Sequence, residues 1–401
     1  MSQKKKRVLY WEKWGGWEEQ AMRIIINRFN ALHDDVQVEM VRVADFYSSP
    51  DVEKISGALE RNKAPDIIGF EYHLAPKFAA KGLFIPLEDY LPNEFQQQYF
   101  DDFRKMLQYD NHIYGLPSTA DIVTLYYNKG LFEHAKLDPD KPPTTIEELD
   151  VFAQKIDNSD KKGTITQMGF HPLIPGWWPE IWPWLFEGAW FNLEKGEITP
   201  DLEENVKAYE WLQSYSKGYE SEALKTFTSI CQRSLGTPKN CFFSNKVAMV
   251  FEGDWLVKAL QTFAPKLMWD VAPLPSYDGR PMALLALDTL HIPKNAQHPE
   301  EALEFIKYVN TPENLENLAV NQGKIVPIKN PSENFFKKHP NLHILKLMQL
   351  LNRAKLHHSP LIPIWDTYLK EITKALKSIW SLKTTPKRAL SRVKHVMSKY
   401  T

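Results

Sequence analysis

Apolar positions along the chain alternate between two spacings, and the changes between them mark strands and helices. Val8-Leu9-Tyr10-Trp11 is a short apolar run, broken by Gly15-Gly16. From Trp17 to Leu32, the residues Met22, Ile25, Ile26, Phe29 and Leu32 recur at helical spacing, which predicts one apolar stripe lying on a sheet. Val36 to Val41 alternates as a second strand, Asp51 to Arg61 suggests a helix, and Pro65 to Phe70 reads as a buried third strand. A βαβαβ order predicts an α/β lobe with a mainly parallel sheet, where ligands sit beyond the carboxyl ends of the strands. Trp11 to Trp14 and Phe70 to His73 fall at such ends.

Farther along, Ile122 to Tyr127 reads as a strand, and Thr145 with Glu148 has the spacing of a capping box that opens a helix over 146–156. Residues 200–265 read as mostly helical, interrupted at Gly236-Thr237-Pro238, with a strand from Lys246 to Phe251 that delivers Glu252-Gly253-Asp254-Trp255 at its end. Pro299 and Pro312 each sit where a helix tolerates proline, at its first position. From Asn341 onward the tail is amphipathic and helical, with Trp365 just after a proline-rich start.

A chain of 401 residues is too long for one ordinary core and implies two domains. Thirteen tryptophans are present, several crowded into Tyr10–Trp17 and into Gly176–Trp184, followed by Trp190. Glycine and proline among these rings exclude a simple buried helix or central strand there. A ring on a loop offers a flat apolar face and an N–H donor, the mixed character that sugar rings match; the alternative is core filler under long loops. Isolated Trp211, Trp269 and Trp380 are read as core.

With a net charge of -1, the chain as a whole has no attraction for nucleic acid or an anionic membrane, and the basic runs Lys4–Arg7 and Lys383–Lys399 read as solvated faces. No stretch has the apolar length of a membrane span, and no secretory h-region follows the N-terminal lysines. That leaves a cytoplasmic protein or a mature form without its leader. The two cysteines, Cys231 and Cys241, are either a free pair or one loop-closing disulfide, and they lack the histidines of a zinc site. There is no G-x-S-x-G elbow, H-E-x-x-H or phosphate-binding glycine loop.

Several segments, in order, resemble the extracellular solute-binding proteins of ABC importers, in the sugar-binding branch (family 1, maltose-binding-protein-like). They are Ala64–Ile68, Phe78–Leu87, Ile113–Pro117, Tyr126–Phe132 with the following Pro142-Pro143-Thr144-Thr145 and Glu147–Leu149, Phe243–Met249, Ala302–Ile306 and Thr311–Asn314. The resemblance implies two doubly wound α/β lobes joined by hinge strands, the type II periplasmic-binding-protein-like fold. It places residues 1–117 plus 287–328 in an N-terminal lobe, and 118–286 plus 329–401 in a C-terminal lobe with a helical tail. Crossings are expected near Leu116–Thr119, Leu285–Asp288 and Val326–Ile328, with closure bringing the Trp177–Trp184 wall toward the Trp11–Trp17 loop. Ala286-Leu287 stands where paired glycines are common, and 330–356 is an insert without an assigned role.

By the same resemblance, Glu12, Lys13 and Trp14 meet sugar hydroxyls, Phe70, Glu71 and His73 give an aromatic face and polar contacts, and Asp121 and Asp288 accept from hydroxyls. Trp177, Trp178 and Trp182 form an opposing wall, Asp254 and Trp255 pair an acceptor with a stacking plane, and Trp365 opens a late helix facing the ligand. Lys13 and Glu12 otherwise read as solvated loop charges, His73 as a surface histidine and Asp254 as a helix cap. The implied protein is a monomer without catalytic residues, cofactor or metal. It captures a neutral carbohydrate, expected to be an oligosaccharide, and passes it to a transmembrane permease, as a periplasmic or an extracellular, membrane-associated protein. The competing readings are a non-sugar polyol or glycerol phosphodiester ligand on the same fold, and a glycoside hydrolase using Glu252 and Asp254.

Overall fold

The structure, a computed structural model, describes residues 5–43 and 51–400, so Lys4 of the N-terminal basic run lies outside the described residues. The chain divides into two compact units: one of residues up to Ile122 with Leu285–Met348 and Leu361–Trp365, the other of Val123–Leu284, Gln349–Pro360 and Asp366–Thr401. The changeovers at 122/123 and 284/285 lie a few residues from those the sequence suggests. Residues 329–348, read from sequence as part of the second lobe, belong to the first unit.

In the first unit, Lys6–Glu12 lies between Val36–Arg42 and Ile67–Glu71, parallel to both. The 285–291 part of the Met282–His291 strand then pairs antiparallel with Ile67–Glu71 on one side and with the Gly115–Asn128 strand on the other. The helix Gly16–Leu32 buries Ala21 and, of the stripe its spacing predicts, Met22, Ile25, Ile26 and Phe29; Leu32, its last residue, is exposed. Phe29 meets Phe305 and Tyr308 edge-on at 5.2 and 5.3 Å, tying this helix to Pro299–Val309.

In the second unit, Val247–Gly253 runs antiparallel to residues 123–127 and parallel to Ile165–Phe170, while Trp269–Ala272 covers 125–128 from the other side. The helix Ile146–Ile156 opens on the capping box that Thr145 and Glu148 suggest, with both reciprocal bonds made. A three-residue strand, Lys355–His357, pairs with Met282–Leu284 inside the tail that reads as purely helical; so short a run shows no periodicity to detect.

The strand Gly115–Asn128 is far longer than Ile122–Tyr127, and all fourteen of its residues are buried. Pro117 argues against a central strand in the sequence. It is accommodated because the register slips between Asp288 and Thr289, which pair with Thr119 and Pro117 and leave Ser118 extra. Such a bulge re-aims the neighbouring side chains, and Asp288 is one of them.

Cys231, buried near the end of the helix Ser221–Ser234, and Cys241 form a disulfide. Closing a loop this short removes about 3 kcal/mol of unfolded-state entropy. Urea denaturation of a Cys231→Ser/Cys241→Ser variant is expected to show a loss of that order. Reductant should shift the wild-type curve toward the variant and leave the variant unmoved.

Candidate functional site

Each unit carries its own constellation of polar and aromatic groups. In the first unit it grows at the carboxyl ends of Lys6–Glu12 and Ile67–Glu71. Asp288 and Glu71 are directly opposite each other across an antiparallel ladder, where two like charges would repel. Lys13 resolves the conflict: its Nζ lies 2.8 Å from Glu71 Oε1 and 2.8 Å from Asp288 Oδ1. The second oxygen of Asp288 accepts the indole N–H of the buried Trp14 at 2.9 Å. Although burial opposes its charge, Asp288 titrates below the usual carboxylate range because Lys13 and Lys324 are near and Lys13 and Trp14 donate to it.

Glu12 is held differently. Its buried carboxyl accepts from the Tyr10 hydroxyl and, at 2.6 Å, from the Lys13 backbone N–H. It lies against Gly69, where a Cβ would come within 2.3 Å of Oε2, so that strand position must lack a side chain. Burial, reinforced by the Asp288 charge and only partly offset by Tyr10 and by the backbone N–H and ammonium of Lys13, raises the Glu12 pKa to about 8. The sign follows directly. A carboxyl whose folded value lies above its unfolded value contributes stability at low pH and loses it as pH rises from about 4.5 toward 8. Glu12→Gln is therefore expected to flatten the stability profile across that window and to gain on the wild type at pH 8, as measured by denaturation at a series of pH values.

A second ammonium, Lys324, lies in the same unit. It follows Gly323, whose left-handed φ of 80° ends the helix Pro312–Gln322. Its Nζ lies 2.6 Å from Glu18 Oε1 and 2.8 Å from Asp121 Oδ1, with a side chain only 3% exposed. Glu18 sits in the acidic first turn of Gly16–Leu32, where the helix dipole also favours a negative charge. Burial, with the Asp288 and Glu18 charges, outweighs Lys324 and raises the Asp121 pKa to about 6. Only a helix-ending glycine precedes Lys324 in sequence, and nothing there signals that its side chain turns inward.

The second unit supplies rings. The indole of Trp255 lies across Gly253, where a Cβ would fall 2.0 Å from Cζ3, and its ring centre is 5.8 Å from that of Trp178 at a 40° tilt. Buried Glu252 accepts from Trp177 Nε1 at 3.3 Å and from the Trp255 side chain, yet burial still raises its pKa to about 8. Trp177 is 38% exposed. Glu252 is thus a carboxyl these indoles share; Asp254 is fully buried, and the helix Leu256–Phe263 begins with Trp255 at its N-cap and no side-chain cap.

The other expected site residues differ in how far they are buried. Phe70 is fully buried, stacked on His291 at 4.5 Å and packed with Phe78 and Phe84, so its face is spent in the core of the first unit. Trp182 is 4% exposed and packs between Trp211 and Phe251 in the core of the second. The rings of the first tryptophan cluster face different ways. Trp11 packs on the Ile68–Phe70 core, Trp14 points at Asp288, and Trp17 is partly exposed, because consecutive strand and loop positions face different sides. His73 is half-buried in the turn Tyr72–Leu74, edge-on to Tyr72. Trp365 is fully buried at the first position of the helix Trp365–Trp380. Among the described residues no group of histidine, cysteine and acidic side chains has the arrangement to hold a metal, and no helix is long and apolar enough to cross a membrane.

Known proteins resemble this chain along nearly its whole length. A solved structure of CpMnBP1 with mannotriose bound superposes with a TM-score of 0.86 at 27% identity, over 97% of this chain and 99% of that one. The maltotriose-binding protein of Pyrococcus abyssi is 22% identical over 327 residues, 80% of this chain and 66% of its own length. The sn-glycerol-3-phosphate-binding periplasmic protein UgpB of Pectobacterium atrosepticum is 23% identical over 96% of this chain and 88% of its own. The family model for bacterial extracellular solute-binding proteins matches residues 14–316, and the chain belongs to that family.

Proposed function

We propose that this protein is the solute-binding component of an ABC importer that captures a neutral oligosaccharide and passes it unaltered to a membrane permease. The observation that carries the neutral ligand is the state of the two buried ammonium groups. Lys13 and Lys324 are each already held between two carboxylates, so four carboxylates stand against two cations, with Glu12 beside them protonated at neutral pH. An anionic ligand would have to break these pairs or meet uncompensated negative charge. Sugar hydroxyls, which donate, suit such a surface, and the Trp177, Trp178 and Trp255 rings suit the apolar faces of pyranose rings. Malto- and manno-oligosaccharide ligands in similar proteins support the same class.

The likeness to a glycerol phosphate-binding protein gives the competing ligand a specific basis. Calorimetry against manno- and malto-oligosaccharides and sn-glycerol-3-phosphate separates the two. Binding of an oligosaccharide, recovered intact by chromatography, is the expected result; binding of glycerol phosphate alone overturns the ligand class, and hydrolysis products overturn the transport reading. The disulfide fits an oxidising compartment outside the cytoplasm.

A further inference from the structure

The chain's near-neutral total conceals a strong asymmetry. Residues 370–401 contain nine lysines and arginines against Glu371 alone, a net of +8, so the preceding part of a chain of net -1 carries -9. Seven of the nine lie on the last two helices, Trp365–Trp380, which also carries Asp366, and Pro386–Met397; Lys383 and Lys399 lie outside them, and Lys394 is paired with Asp201. Their apolar sides, including Ile372, Ile379, Leu390 and Val393, are buried, and the basic side chains are left outside. Lys370, Lys374 and Lys377 follow one stripe of the first helix, and Arg388 and Arg392 one stripe of the second. Between the helices is a cavity of about 510 Å³, lined by Lys374, Lys383, Arg388 and Arg392 with Glu371 as the one carboxylate. Glu371 is already engaged by Lys374 at 2.6 Å. Thr385 caps the second helix by accepting the Arg388 N–H, so the positive end of that helix dipole opens on the same face.

We propose that this face is a docking surface for a membrane rich in anionic phospholipid, with one headgroup phosphate seated in the cavity. A concentrated positive face on a protein that is acidic elsewhere orients the molecule as well as attracting it: the basic helices turn toward the lipid and the acidic remainder away. The choice of a membrane over another polyanion rests on the transport reading, because an importer's binding protein works beside a lipid surface. The residues involved are separate from both candidate ligand constellations.

Flotation with vesicles tests it. Wild-type protein is expected to float with phosphatidylglycerol/phosphatidylcholine vesicles and to remain behind with phosphatidylcholine alone. Lys383→Ala/Arg388→Ala/Arg392→Ala should lower the partition coefficient on the order of 100-fold. An equal loss of charge at exposed Lys161, Lys162 and Lys195 should change it less than about three-fold, showing that position and not net charge decides. Equal loss in both triple variants overturns the proposal, as does equal binding to both vesicle types or to neither. Inorganic phosphate at matched ionic strength competes for that one seat only and should weaken vesicle binding less than about three-fold; if it displaces the protein, the cavity is a small-anion site and the membrane assignment fails. Oligosaccharide titration of the basic-face variant reads the transport assignment separately and is expected to match wild type.

Discussion

Trp255→Ala is expected to raise the dissociation constant for the captured oligosaccharide roughly 30-fold or more, the effect of losing about 2 kcal/mol at an aromatic anchor. The size follows from what the ring does. It presents one face beside Trp178, and its side chain donates to Glu252, so truncation removes a stacking plane and loosens the acceptor together. Its orientation is set by the missing side chain at Gly253. Trp182→Ala is the instructive contrast. That indole is core, wedged between Trp211 and Phe251, and its removal should cost about 3–5 kcal/mol of stability. Calorimetry and urea denaturation on both variants separate the roles: Trp255→Ala should chiefly lose affinity and Trp182→Ala chiefly stability. An unchanged affinity in Trp255→Ala would remove this residue from the site.

Lys324→Met should be the most damaging single change in the first unit, costing about 3–5 kcal/mol at neutral pH. The methionine fills most of the volume but leaves Glu18 and the buried Asp121 without their shared cation. Asp121→Asn in the same background should recover much of the loss, since it removes the more deeply buried charge. The pH dependence has a definite sign. Because Asp121 binds its proton in the folded state up to about pH 6, its own contribution to stability is greatest at low pH and falls as pH rises through that value. Below about pH 4 the carboxyl is protonated folded or unfolded, and the Lys324→Met penalty should shrink. Denaturation of the single and double variants at pH 4 and pH 7 gives all of these differences; a penalty that is the same at both would exclude Asp121 as the group responsible.

Much of the architecture is legible in the residues because it rests on local rules. The Met22–Phe29 stripe, the Thr145/Glu148 box and the prolines at 299 and 312 each specify an element through spacing or backbone chemistry alone. The site is less legible because it depends on direction. Glu12, Lys13 and Trp14 are consecutive, yet one faces Tyr10, one bridges two strands, and one reaches Asp288. Phe70 and Glu71 show the simplest form of the problem: alternate strand positions face opposite sides, so one is core and the other is beside Lys13. Lys324 was out of reach because its partners are set by a turn that brings distant positions together, not by spacing.

The long buried strand Gly115–Asn128 also sets a timetable for the nascent chain. Its stretch from Ile122 to Tyr127 has no charge and no proline, and it is rich in residues that favour extended stacking between molecules. Every strand that covers it lies more than a hundred residues downstream, at Val247–Gly253, Trp269–Ala272 and Met282–His291. At a synthesis rate of about 5–20 residues per second, that segment waits roughly 6–24 seconds for its first partner. During that interval this chain is most exposed to aggregation, and a chaperone that shields one short apolar segment would act most effectively there.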